Sequence, residues 1–237
     1  SKLNIFFLVT ILNIETATKN CSVSISKNGE IIALKEFNDG NYSHAEVLHS
    51  FIIDIVEESN ILLHAIDAVA VSKGPGSYTG LRIGVSAAKG FCFALQKPLI
   101  AIDTLASLSH AILIEDGIII PLLDARRMEV YSAIFNHKYH KIREIAAEII
   151  DENSFLAYLN HQKVYFLGDG ALKCHEIIKH DNAKFIDGIF PSSREMGMLA
   201  FEKYKKSDFE DVAYFEPFYL KDFMITSKKS FKENYNN

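Results

Sequence analysis

The chain has 237 residues, room for one large domain or two small ones at roughly 150 residues per domain. Hydrophobic residues at 49% and charged residues at 23% exclude wholesale disorder, and a net charge of −5 with no basic domain argues against a protein that grips nucleic acid alone through many phosphate contacts. Three scattered cysteines, Cys21, Cys92 and Cys174, form no CxxC pair, and no apolar run reaches the ~20 residues of a membrane helix, so a cytoplasmic protein with free buried thiols and no membrane attachment is expected.

In chain order, residues 2–12 (KLNIFFLVTIL) carry one lysine and no small-x-small cleavage site, and read as an N-terminal strand rather than a signal peptide. Residues 10–25 (TILNIETATKNCSVSI) are echoed by residues 119–134 (IIPLLDARRMEVYSAI). Each has an apolar strand, an acidic residue (Glu15, Asp124), a short polar turn and a second alternating strand, with Cys21, Val23 and Ile25 matching Val130, Ser132 and Ile134. The period is too long for a solenoid and implies two copies of one α/β domain. Residues 24–37 read as a hairpin around Asn28-Gly29. Residues 43–59 read as a helix with Ser43 as N-cap and Glu46 completing a capping box. A buried strand at 68–72, a Gly/Pro loop at 73–78 and a helix at 79–95 stopped by Gln96-Lys97-Pro98 follow. Then come a strand at 99–102 and a helix at 104–113. The second half is expected to hold strands at 118–123, 128–135, 142–150 and 163–167, and helices at 152–160, 170–179 and 194–206. Alternating strands and helices make the fold α/β. The domains are expected at 1–108 and 109–220, with a polar, lysine-rich tail at 221–237.

The first two helices carry more apolar surface than one sheet needs. On the wheel of the first, Ser43, Glu46, Ser50, Asp54, Glu57 and Glu58 fill a sector of roughly 120°, and the apolar residues spread over roughly 200°. In the second, only Arg82, Ser86 and Lys89 are polar, and Gly84, Ala87, Ala88 and Gly90 would admit a neighbouring helix closely. Such helices are covered on two sides, by another layer of this chain or by a partner.

Candidate chemistry is sparse. The loop from Gly74 to Gly80 enters a helix, where free N–H groups and the dipole attract phosphate, but it has neither GxxxxGK[ST] nor GxGxxG spacing and reads better as a tight strand-to-helix turn. His44 and His49 diverge by about 140° on a helix, as do His175 and His180, so no metal pair is expected. Glu15 and Asp124 facing each other across a cleft would suit Mg²⁺-nucleotide chemistry; as plain strand-end acids they would cap the next turn. No nucleophile with an adjacent base is readable, and no catalytic residue is assigned.

The run from Ser72 to Gly84 (SKGPGSYTGLRIG) resembles the signature of the bacterial TsaB (YeaZ) family. Residues 14–18 with 21–23, residues 123–131 and residues 216–221 resemble three further family segments in family order, so the likeness spans about Ile11 to Lys229. The resemblance implies a tandem of two ribonuclease-H-like halves, the architecture of actin-like and sugar-kinase ATPases. It implies a non-catalytic role in making N6-threonylcarbamoyladenosine at position 37 of tRNA, as the partner of the catalytic subunit TsaD, with the ATPase TsaE joining the pair and tRNA met only through the complex. No cofactor or metal of its own is implied, and the HxxxH metal pair of TsaD is absent here, which also disfavours a metalloprotease. The family's pairing surface is the two N-terminal helices, which places Leu48, Phe51, Ile52, Ile55, Ile83, Gly84, Ala87, Ala88 and Phe91 at the partner face and allows a homodimer when the chain is alone. Glu15, Thr16 and Asp124 correspond to nucleotide-binding turns, although Glu15 stands where the family usually has aspartate. Residues 1–10 precede the usual start. The alternative reading is a small-molecule kinase or ATPase of the same superfamily.

Overall fold

The computed structural model describes residues 8–38, 40 and 44–220. Residues 2–7 of the expected first strand, the Ser43 cap and the tail 221–237 lie outside the described residues.

Five strands form the first sheet: β1 (Thr10–Glu15), β2 (Cys21–Lys27), β3 (Glu30–Phe37), β4 (Ala68–Gly74) and β5 (Leu99–Asp103), in the order β3-β2-β1-β4-β5. β1, β2 and β3 run antiparallel, and β1, β4 and β5 parallel. The second sheet holds β6 (Ile118–Asp124), β7 (Glu129–Asn136), β8 (Lys141–Ile149), β9 (Val164–Leu167) and β10 (Ala183–Ile186). Its order, β8-β7-β6-β9-β10, repeats the first strand for strand, with the same antiparallel and parallel senses. This is the tandem of two ribonuclease-H-like halves. Asn28 and Gly29 both adopt positive φ, 50° and 91°, so β2 and β3 close through the tight two-residue turn their sequence suggests.

Helices α1 (His44–Glu58) and α2 (Tyr78–Leu95) cover one face of the first sheet, where Leu48, Ile52 and Ile55 meet Leu12, Ile14, Val23, Val69 and Val71. The equivalent face of the second sheet carries α4 (Leu156–Leu159) and α5 (Ala171–Ile177). The remaining two helices cross over. From α3 (Thr104–Ser109), Leu105 and Leu108 pack on Ile119, Leu123 and Phe135 of the second sheet. From α6 (Met196–Lys205), Met196 and Ala200 pack on Ile11, Ala70 and Ile100 of the first. A final segment, residues 209–220, follows α6 back to the first half: the Glu210 N–H donates to Leu99 O, and Val212 and Phe215 join the core under α2.

Several expected elements change length. The helix expected over 104–113 stops at Ser109, where the His110 imidazole turns back, with Nδ1 2.9 Å from Ala106 O, and occupies a final carbonyl. The helix expected over 152–160 is a single turn, because Phe155 takes φ 64° just before it. Strand β10 was not expected at all; four residues of mixed character acquire strand geometry by pairing with β9.

The echo between the halves holds in strand order but slips at its acidic residues. Leu12 and Ile14 face α1 and α2, so Glu15 shares the opposite face with Ile11 and Asn13. Ile120 and Leu122 face α4 and α5, so Asp124 lies on that side instead. The ladder records the same slip: Glu15 pairs with Ser22, seven residues on, whereas Asp124 pairs with Val130, six on.

Candidate functional site: the α1–α2 groove and the cleft behind it

The run Gly74 to Gly84 is explained by packing. Ser77 caps α2, its Oγ accepting from the Gly80 N–H at 3.3 Å, and starts the helix directly over the β1–β2 turn. Gly76, Gly80 and Gly84 recur every fourth residue on one side of the segment. A Cβ on them would come within 2.5 Å of Ala17 O, 2.1 Å of Thr16 O and 2.2 Å of Thr16 Oγ1 respectively. The turn is also tied down by polar contacts: Thr16 Oγ1 donates to Gly80 O at 2.8 Å, and His44 Nε2 lies 2.6 Å from Thr18 O. The N-termini of α1 and α2 therefore converge over residues 16–18. Burial pushes the His44 imidazole down, keeping it neutral near pH 7.

Between α1 and α2 lies an open apolar groove of about 630 Å³, lined by Ala45, Leu48, Ile83, Ala87, Phe91 and Ala94 among others. Among the described residues of this lining, Arg82 is the one formally charged side chain. Ile53 on α1 and Phe93 on α2 are 59% and 83% exposed, far beyond what a core residue tolerates. Of the nine residues expected at a partner face, Leu48, Ile52, Ile55, Gly84 and Ala88 are buried against the chain's own sheet. Phe51, Ile83, Ala87 and Phe91 are half-buried, and Ile83, Ala87 and Phe91 line the groove. The exposed residues Ala45, His49, Ile53, Arg82, Phe93 and Ala94 were not anticipated. A wide apolar arc on a wheel holds its most buried residues at the midline and its partner-facing residues at the flanks, and the flanks were the available signal.

Behind the first turn of α2, a second cavity of about 640 Å³ separates the two halves. Thr18, Lys19, Ser77 and Tyr78 line it from one side, Asp124, Arg126 and Asp169 from the other, and Phe218 and Tyr219 close one end. The nucleotide-binding residues implied by the resemblance are not gathered here. Glu15 and Thr16 are fully buried beneath α2. Glu15 Oε1 accepts from the Ala17 N–H at 2.6 Å and the Ser72 hydroxyl at 2.7 Å, while Oε2 has no hydrogen-bond partner among the described residues. Burial raises this carboxyl to about 7 against its hydrogen bonds, and the nearby Glu195 charge pushes the same way. Asp124 alone of the three faces the cavity, and its carboxylate is engaged by the Lys173 ammonium and the Arg126 N–H. Asp169, pushed up to about 6 by burial, accepts from the Asp124 N–H at 3.0 Å. These residues do not fit a nucleotide and its Mg²⁺: one carboxyl is sealed away and the other is neutralised by a lysine.

No group of three or more His, Cys, Asp or Glu side chains among the described residues is placed to hold a metal ion. Cys21, Cys92 and Cys174 are buried and free, with burial raising each thiol to about 12, so none is a reactive thiolate. Among the described residues, no helix is long and apolar enough to cross a membrane.

A family model described as "TsaD: tRNA N6-adenosine threonylcarbamoyltransferase" matches residues 39–226. The proteins named tRNA threonylcarbamoyladenosine biosynthesis protein TsaB of Haemophilus influenzae and Escherichia coli are each 28% identical to this chain. Those alignments cover 93% and 94% of this chain and 97% and 99% of the relatives. The solved structure of YeaZ from Pseudomonas aeruginosa superposes with a TM-score of 0.75 at 23% identity, over 90% of this chain and all of that one, which fixes the fold. Threonylcarbamoyltransferases themselves match more locally: that of Staphylococcus aureus is 31% identical over 165 residues, and the match spans 48% of its length. With the repeated sheets, the glycine-packed α2 and these likenesses together, the chain belongs to the TsaB (YeaZ) branch of the threonylcarbamoyltransferase family.

Proposed function

We propose that this protein is a non-catalytic partner subunit in the synthesis of N6-threonylcarbamoyladenosine on tRNA, at adenosine 37, docking through its α1–α2 groove onto the catalytic subunit TsaD, with the ATPase TsaE joining the pair. In this reading residues 1–108 carry the docking helices, residues 109–220 form the second domain, and the complex works in the cytoplasm and alone meets tRNA.

The observation that carries the reading is the open flank of the two helices. Ile83, Ala87, Phe91 and the exposed Ile53 and Phe93 present apolar surface that no element among the described residues covers. Exposed apolar side chains flanking an apolar groove are the mark of a protein–protein surface. A subunit with related sheets and helices would meet it in a pseudo-two-fold arrangement, and the local match to threonylcarbamoyltransferases supports such a partner. In this reading the same groove would also serve a homodimer when the partner is missing. The kinase or ATPase alternative gains no support from Asp124, whose carboxylate is held by Lys173.

The test is to mix the protein with its host's TsaD and weigh the product by light scattering. A one-to-one complex is expected. Ala87→Arg, at a half-buried groove position, is expected to weaken it at least a hundredfold, the effect of a charge forced into a packed interface centre, and to leave the melting temperature within a few degrees. Two folded proteins that stay apart, or an Ala87→Arg chain that still pairs, would remove the reading.

A further inference from the structure

We propose that docking in the α1–α2 groove releases the end of the C-terminal strap (residues 209–220), Tyr219 and Leu220, from the cleft between the halves, and that Arg82 is the residue both events compete for. The proposal rests on the docking role above and adds its regulation.

The strap is irregular chain laid along the flank of α2 opposite the groove. It is clipped at three places. The Glu210 N–H donates to Leu99 O at 2.9 Å, Lys89 Nζ donates to Ala213 O and Phe215 O at 3.2 and 3.0 Å, and the Phe218 N–H donates to Lys73 O at 2.7 Å. Beyond the last clip, Tyr219 lies against Tyr78 with ring centroids 4.8 Å apart, and both rings line the cleft. α2 is thus the wall of the groove on one side and the seat of the strap on the other.

Arg82 joins the two sides. It lines the groove, yet its Nη1 donates to the Tyr78 hydroxyl at 3.1 Å and its guanidinium sits 5.4 Å above the Tyr78 ring. With the groove empty, Arg82 therefore holds Tyr78 in the position against which Tyr219 packs. A partner seated in the groove would surround this exposed guanidinium with apolar surface, and a charge so covered must be given an acceptor. A partner that supplies a carboxylate or carbonyl there draws the planar group off Tyr78. Tyr78 then loses this hydrogen bond and the cation above its face, and the support it gives Tyr219 loosens. Two states follow: groove empty with the strap seated, and groove filled with the end of the strap released and the cleft open. Because the coupling is reciprocal, anything that frees Arg82 from Tyr78 strengthens docking by the same factor that docking loosens the strap.

The natural chain contains no tryptophan, so Tyr219→Trp made with 5-fluorotryptophan gives one ¹⁹F resonance that a partner's own residues cannot obscure. The labelled full chain is titrated with its host's TsaD while light scattering follows the mass of the same samples. The resonance is expected to move to a narrower, solvent-exposed position in step with complex formation. In the Arg82→Ala background it is expected to start near that position and to change little. Tyr219→Ala in the unlabelled chain is expected to tighten the complex about tenfold, a typical size for coupling between two sites. A complex that forms with the resonance unmoved, or an Arg82→Ala chain that responds as the parent does, would overturn the coupling while leaving docking intact. A mass that never rises would remove the docking role itself, and the coupling with it.

Discussion

Glu15 is the residue whose environment most contradicts its chemistry. It is sealed under α2 with one carboxylate oxygen unpartnered among the described residues, and burial raises it to about 7 from an ordinary 4.5. The native state therefore holds a proton between pH 4.5 and 7 that the unfolded chain has released. Stability falls as pH rises through that window and levels off above it. Glu195 behaves alike, also raised to about 7 by burial, beside the hydroxyl cluster in which Ser193 N–H and Oγ meet Ser22 Oγ at 3.1 and 2.8 Å. Glu15→Gln keeps an acceptor for the Ala17 N–H and removes the buried charge. It is expected to raise stability at pH 8 by up to about 3 kcal/mol and to have little effect at pH 5. Urea denaturation at the two pH values checks this; equal effects at both would show that Glu15 is not the group titrating.

At the scale of an element, α2 shows how one helix serves two neighbours. Its glycines fall into two kinds. A Cβ at Gly84 would lie 2.2 Å from Thr16 Oγ1, whereas a Cβ at Gly90, on the groove side, meets nothing within 4 Å. Gly84→Ala must push the β1–β2 turn off the helix and is expected to lower stability by roughly 2 kcal/mol or more. Gly90→Ala gains helix propensity and is expected to raise it by about 0.5–1 kcal/mol. Thermal melting of the two variants separates the sides of α2, and opposite signs are the expected result. The same contrast governs α1: Leu48, fully buried on the sheet, is a folding residue, and a charge placed there would unfold the chain before it informed on any partner.

For the whole molecule, the crossing helices decide cooperativity. α3 follows the first sheet in the chain but is buried on the second; α6 follows the second and is buried on the first. Asp103, the N-cap of α3, also pairs with Lys141 of β8 at 3.1 Å. Neither sheet keeps both faces covered if the other half unfolds. A single calorimetric transition, with van't Hoff and calorimetric enthalpies equal, is therefore expected. Two resolved transitions would show that the halves are energetically separate despite the exchanged helices.

The sequence by itself determined the elements and their repetition. Alternation of apolar and polar residues, the Asn28-Gly29 turn and the strand-turn-strand echo are local patterns, and local sterics and periodicity express them wherever the chain goes. Family membership was legible too, because the glycines of the Gly74–Gly84 run sit where a turn and a helix must touch. The tertiary structure alone decided what faces what. Glu15 and Asp124 look equivalent along the chain, yet a one-residue difference in turn length sends them to opposite faces, and only the strand register records it. β10 is a strand because β9 offers it hydrogen bonds, not because its four residues demand one. The excess apolar arc of two helices was legible and, with the family resemblance, pointed to the docking face proposed here, but which residues turn outward depends on how each helix is rotated on its sheet. That rotation is fixed by long-range packing against Leu12, Val23 and Val71, contacts that no local pattern in α1 or α2 contains.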